Sequence, residues 1–272
     1  VGSFRSAPPW RFGWLLPAAS AIVVFYLTVP VLTVLARAVP SGLLPEALVR
    51  PIVVEALRIS LISSLAALAL IVVFGTPTAY LLARRDFPGR NVVETLVDLP
   101  IVLPPAVAGL ALLFTFGRRG LFGPLLSALG VEIAFTLAAV VLAQTFVAAP
   151  FYIRTVRAGF ATVDREAEEA AAVFGASPFA VFRFITLPLA VPSLVGGLVL
   201  AWAKAMGEFG ATILFAGSFL GRTQTLPLAI YQALESDLNA ALAIGAILIV
   251  VSFGLLLLFR LSTGHWVDPL RE

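Results

Sequence analysis

The chain has 272 residues, of which 60% are hydrophobic and only 12% charged, against about 45–50% apolar and about 25% charged in a soluble domain. So few charges cannot cover a 28.7 kDa globule, and the mean hydropathy of +1.04 marks an integral membrane protein. The absence of cysteine and the single histidine, His265, exclude disulfides, thiolate chemistry and a multi-histidine metal site. The single lysine, Lys204, stands in AWAK and not in a GxxxxGKS-type loop, so the chain has no P-loop for ATP. Any energy source is another polypeptide, and no cofactor or resident metal is expected. The net charge of +3 comes from loop arginines and does not outline a nucleic-acid surface.

A spanning helix needs about 20 mainly apolar residues. Charge-free stretches of that order run over Phe12–Ala36, Ile59–Ala83, Leu99–Gly117, Ile133–Ile153, Phe184–Ala203 and Leu238–Phe259. They predict an all-α, polytopic fold of six transmembrane helices in a single domain over 1–272. The first stretch has Arg5 and Arg11 before it and Ala36-Arg37-Ala38 after it, as a signal peptide would. Its uncharged run exceeds the usual h-region of about 7–15 residues, which favours a span. With the N-terminus inside, the inner segments hold Arg5, Arg11, Arg84, Arg85, Arg90, Arg154, Arg157, Arg165, Arg183, Arg260 and Arg271. The outer ones hold Arg37, Arg50, Arg58, Arg118, Arg119 and Arg222. That bias puts both termini in the cytoplasm.

The third span begins with Pro100, Pro104 and Pro105, a run that cannot be regular helix throughout. Helix is expected to resume at Pro105, since proline suits a first helical position. Irregular backbone at membrane depth is tolerated where protein covers it or water reaches it. Pro104 and Pro105 are therefore candidates to border a central cavity, with an ordinary proline kink as the rival.

The longest connection, 154–188, falls on the inner side and holds the densest charge of the chain: Asp164, Arg165, Glu166, Glu168 and Glu169. Asp164–Phe174 is rich in helix formers, with acids in the first turn where the helix dipole favours them. Gly175 follows as a C-terminal cap, and Ser177-Pro178 reads as an N-cap with proline at the first helical position. A second short helix over Pro178–Phe184 is expected to end at Leu187-Pro188. Two short helices joined by a glycine turn make a knob with Phe174, Phe179 and Phe182 near the turn. Exposed aromatics there mark a partner interface, a surface folded back on the protein, or the membrane boundary. The charge alone fits a solvated linker equally well.

In the fifth span, Lys204 and Glu208 are the charges placed deepest, four apart and able to neutralise each other. The same face carries Ser193, Gly197, Ala201 and Thr212, all small or polar. Such a stripe packs tightly against another helix or lines a water-filled path. Beyond it, Gly221-Arg222-Thr223-Gln224-Thr225 and Arg118-Arg119 form polar outer stretches, suited to an external partner or to interfacial anchoring.

The inner loop resembles the EAA motif of ABC-importer permeases, EAAxxxG followed by nine residues and IxLP. Here Glu169-Ala170-Ala171, Gly175, Ile185, Leu187 and Pro188 keep every spacing. LPIVLPPAVAGLAL (99–112), FGRRGLFGPLL (116–126), KAMGEFGATILFAG (204–217) and GRTQTLPLAIY (221–231) resemble the molybdate branch of these permeases. The resemblance implies a type I importer permease fold in the cell membrane and a non-enzymatic transport subunit. Its cargo would be a tetrahedral oxyanion, molybdate or tungstate, with sulfate as the alternative. It implies a homodimer in lipid, two ATP-binding subunits and an extracytoplasmic oxyanion-binding protein. Glu169, Ala170, Ala171, Gly175, Ala176, Ser177, Pro178, Phe179 and Phe182 would form or adjoin the ATPase contact, with Glu169 shaping the loop through an ion pair or a cap and Arg165 and Arg183 as candidate partners. Lys204, Glu208, Thr212, Pro104 and Pro105 would border the translocation pathway. An ion-driven carrier or channel is the reading from another class, and it would not need a docking knob.

Overall fold

The computed structural model describes residues 14–39 and 42–267, with 259–267 as backbone alone. Arg5, Arg11 and Arg271 of the orientation count, and the start of the first predicted span, lie outside the described residues. Every regular element among the described residues is helical. α1 is Leu15–Ala38, α2 Leu43–Val49, α3 Pro51–Arg84, α4 Arg90–Val102, α5 Pro105–Phe116, α6 Gly123–Ala128 and α7 Leu137–Thr162. α8 is Arg165–Val173, α9 Pro178–Val181, a π-helical turn covers Phe182–Thr186, and α10 is Leu187–Met206. α11 is Gly210–Ala216, α12 Leu226–Leu234 and α13 Leu238–Val267.

Among the described residues five helical runs are long and apolar enough to cross a membrane, and α4 with α5 makes a sixth only as a pair bent by 116°. The third predicted span therefore needs correction: Leu99–Gly117 is two helices, not one. The break falls at Leu103-Pro104, both extended, and helix resumes at Pro105 as expected. Two other spans outrun their charge-free stretches because the charges are neutralised locally. α3 begins at Pro51, with Arg58 paired to Glu55 at 3.1 Å. α7 continues past Arg154 and Arg157, which meet Asp98 at 3.5 Å and Glu94 at 3.0 Å on α4.

α7 sits between α3 and α10, and its Tyr152 explains the close fit. A Cβ on Gly75 of α3 would lie 3.0 Å from one edge of the Tyr152 ring, and a Cβ on Gly197 of α10 would lie 3.1 Å from the other. The hydroxyl meets Thr76 Oγ1 at 2.7 Å. Nearby, Ser193 of α10 occupies the space a side chain on Gly159 would need. Ser193, Gly197 and the fully buried Ala201 thus face α7, so this part of the small-residue stripe is helix packing.

A second core joins α5, α7 and α11 through Ala108, Leu112, Val140, Val147 and Phe215, and a third joins α2, α3, α12 and α13. Buried serines of α3 tie these layers together: Ser60 accepts the Leu226 N–H at 2.8 Å, and Ser64 accepts the Trp202 indole N–H at 3.2 Å. α1 touches α13 and buries only Ala38, leaving its apolar sides for lipid. Between α12 and α13, Asp237 accepts the N–H groups of Asn239 and Ala240 and pairs with Arg50 at 3.4 Å. Those contacts, led by the Ala240 N–H, hold its carboxyl below the usual carboxylate range.

Candidate functional site

The connection between α7 and α10 folds from its own sequence. Asp164 caps α8 by accepting the Glu166 N–H at 2.9 Å. At the other end the Gly175 N–H reaches the Ala172 carbonyl and the Ala176 N–H reaches Ala171, each at 3.0 Å, the paired bonds of a Schellman cap. The Ala170 carbonyl takes the Phe174 N–H at 3.2 Å. Gly175 has φ +88°, so the turn requires a residue free of a Cβ penalty. Ser177 then caps α9 through the Ala180 N–H at 3.3 Å, with Pro178 first in the helix.

α9 does not stop where Leu187-Pro188 predicts. The π turn relays it into α10, the Leu187 N–H reaching back to the Phe182 carbonyl. Pro188 sits in the first turn of α10, where a missing N–H costs nothing.

The knob presents an apolar tip. Phe174 is 91% exposed, Val173 85% and Phe179 69%, and Glu169, Ala170, Gly175, Ser177 and Pro178 are exposed beside them. Ala171 and Ala176 are half-buried on the inner side of the turn. Phe182 departs from the expectation: it turns inward, its ring 4.9 Å from Tyr80 of α3 and 6.2 Å from Phe160 of α7. It anchors the knob and does not form its tip.

Glu169 makes no ion pair among the described residues. Neither Arg165 nor Arg183 pairs with it, and Arg183 lies over the Phe184 ring at 5.6 Å. The loop-shaping carboxylate is its neighbour. Glu168 Oε1 accepts from Arg84 Nη2 at 3.0 Å and from the Thr186 hydroxyl, and the same Arg84 nitrogen donates to the Val163 carbonyl at 2.9 Å. On α8 Glu168 shares a face with the half-buried Ala171, and Glu169 points away from it.

The second group of candidates gathers at two helix breaks. Gly207-Glu208-Phe209 interrupts the fifth span, so Lys204 lies in the last turn of α10 and Thr212 belongs to α11. This break meets the one at Pro104: a Cβ on Gly210 would stand 2.6 Å from Pro105 Cβ. Glu208 Oε1 accepts the Ala211 N–H at 2.8 Å, while Oε2 lies 4.0 Å from Lys204 Nζ.

Exposure divides the set. Pro104 and Pro105 are exposed and the Lys204 side chain is 39% open, whereas Glu208 and Thr212 are buried at 2% and 0%. In this conformation Glu208 and Thr212 are enclosed by the chain's own helices and line no open passage. The Thr212 hydroxyl has no hydrogen-bond partner, nor does the amide of buried Gln144 on α7. In the Gly221–Thr225 stretch, Thr223, Gln224 and Thr225 are buried, Thr223 closing the turn by accepting the Phe219 N–H at 3.0 Å. Arg222 remains exposed, and Arg118 pairs with Glu132.

The sequence profile of the family described as the binding-protein-dependent transport system inner membrane component matches residues 71–263. The chain is 42% identical, over 247 residues and 90% of each chain, to the molybdenum transport system permease protein ModB of Mycobacterium tuberculosis. It is 38% identical, over 76% of this chain and 73% of the other, to a probable sulfate transport system permease protein cysT of Nephroselmis olivacea. Its fold is similar to a chain in the crystal structure of a bacterial ABC transporter involved in the import of the acidic polysaccharide alginate. That similarity has a TM-score of 0.72 at 19% identity, covering 94% of this chain and 96% of that one. With a profile match over most of its length and relatives this similar, the chain belongs to the family of binding-protein-dependent transport system inner membrane components, the permeases of ABC importers.

Proposed function

We propose that this chain forms the translocation pathway of an ATP-driven importer for a tetrahedral oxyanion, molybdate or tungstate. The observation that carries the reading is the joint presence of the 42% identity to ModB and an exposed apolar knob on the EAA spacing. Sulfate is the second reading, favoured by the identity to cysT. Both anions are divalent tetrahedra, so charge alone does not divide them.

In this account the whole chain is one permease domain with both ends in the cytoplasm, and it carries no catalysis of its own. Two copies pair in the membrane, two ATP-binding subunits grip the knobs, and an extracytoplasmic binding protein delivers the anion. Phe174, Val173 and Phe179 fill a pocket of the ATPase, with Glu169, Ala170, Gly175, Ser177 and Pro178 around them. Buried aromatic anchors of this kind dominate interface energetics. Nucleotide binding draws the knobs together and switches the permease pair between inward-open and outward-open states. Pro104, Pro105 and Lys204 border the path, and Glu208 and Thr212 join it when the two helix breaks separate. Paired with Glu208, Lys204 leaves the path near neutrality, so the anion is held weakly enough to leave.

The test is uptake by the reconstituted complex with its binding protein and ATP inside the vesicles. Labelled molybdate should accumulate and tungstate should compete. Accumulation of sulfate with no competition by molybdate would move the assignment to the second reading.

A further inference from the structure

We infer that Arg84, Glu168 and Thr186 form a positioning brace that makes the knob move as one body with α3 and α7, and not with α10 alone. The inference rests on the coupling reading above. Covalently, the knob joins the bundle at two compliant points, the extended Val163-Asp164 link and the π turn. Across both runs one polar cluster. A single Arg84 nitrogen at the end of α3 holds the Val163 carbonyl at the end of α7 and Glu168 of α8, and Thr186 of the π turn holds the same carboxylate oxygen.

The cluster is dry. The Arg84 and Glu168 side chains are 8% and 16% exposed, and Thr186 is fully buried. Charge-assisted bonds are strong and directional in such surroundings. Arg84 Nε has no partner, and among the described residues Glu168 is the one charged acceptor the guanidinium reaches, the Val163 carbonyl being neutral. The aromatic contacts of Phe182 reach the same two helices, at Tyr80 and Phe160. The docking tip, Phe174 and Phe179, lies apart from the brace and is exposed. Gripping the tip and transmitting the pull are therefore separable tasks with separate residues.

The test uses the permease assembled with its ATP-hydrolysing subunits and binding protein in vesicles, measuring ATPase association, hydrolysis and molybdate moved per ATP. Glu168→Gln, which keeps the acceptor oxygen but cancels its charge, and Thr186→Val, which removes one bond to it, are expected to keep the ATPase bound while molybdate per ATP falls by about tenfold, the effect of weakening one buried charge-assisted bond. Thr186→Ser, which keeps the hydroxyl, is expected to retain coupling. Unchanged molybdate per ATP in both variants overturns the brace. So does loss of the ATPase in Glu168→Gln, which would put Glu168 in the contact itself. The coupling reading fails by a different sign: Phe174→Asp leaving ATPase association intact. If Phe174→Asp releases the ATPase while Glu168→Gln stays fully coupled, the coupling reading stands and the brace falls.

Discussion

Gly210 and Pro105 touch across two helix breaks: a methyl group on the glycine would lie 2.6 Å from the proline Cβ. The contact brings the first turns of α5 and α11 together, and with them the chain's only lysine and a buried glutamate. The break at Pro104 follows from its prolines, whereas the one at Gly207-Glu208-Phe209 holds none.

Gly210→Ala forces that contact apart and should destabilise the protein by about 1–3 kcal/mol through overpacking. Thermal unfolding in detergent reads the loss. Pro105→Gly, which removes the opposing atom, should restore part of it in the double variant. Equal losses in the single and double variants would show that the two breaks are not in contact.

Gly175→Val tests the knob from the backbone. With φ +88° but no atom within 4 Å of the added Cβ, the substitution strains the turn without a clash, costing about 1–3 kcal/mol locally. The protein should insert and unfold as before, while its ATPase binds less tightly. Gly175→Asn, which tolerates the left-handed region, should bind nearly normally. Equal binding by all three proteins would remove the turn from the coupling account.

Glu208 holds one bond as a cap and one charge toward Lys204. Glu208→Gln keeps the oxygen that accepts the Ala211 N–H and cancels the charge, so assembly with the ATPase should persist while the transport rate changes. Glu208→Ala leaves the Ala211 N–H without its acceptor and should lower stability by about 1–3 kcal/mol. Transport by Glu208→Gln at the unaltered rate would return this residue to a capping role.

Asp237 gives a pH signature. Its folded carboxyl is held below the ordinary value of 3.8, with the Ala240 N–H as the leading cause. A depressed pKa stabilises the fold above the unfolded value, and that contribution is lost as pH falls through the lower folded value. Asp237→Asn should therefore flatten the acid limb of stability below roughly pH 4 and leave neutral behaviour close to parallel. An acid limb unchanged in Asp237→Asn would mean other carboxylates govern it.

Much of this architecture was legible from the apolar runs and from capping chemistry. Asp164, Gly175 and Ser177-Pro178 act as their positions predict because caps are local, decided within a few residues. What the sequence hid depends on distant partners. The N-terminal limit of α3 and the C-terminal limit of α7 run past charges neutralised by Glu55, Glu94 and Asp98. Glu168 and Glu169 are indistinguishable in composition until Arg84, far away in sequence, selects one of them. The stripe on α10 mixed two environments, with Ser193 and Gly197 against α7 and only Lys204 open. The break at Gly207-Glu208-Phe209 carries no proline to announce it.

The central claim is that this chain is a gate worked by a separate motor through the Phe174–Phe179 tip. The direct measurement is labelled molybdate in vesicles holding the permease and its binding protein, with and without the ATP-hydrolysing subunits. Uphill accumulation should require those subunits and vanish in the Phe174→Asp, Phe179→Asp double variant. Accumulation by the permease without them would contradict the account.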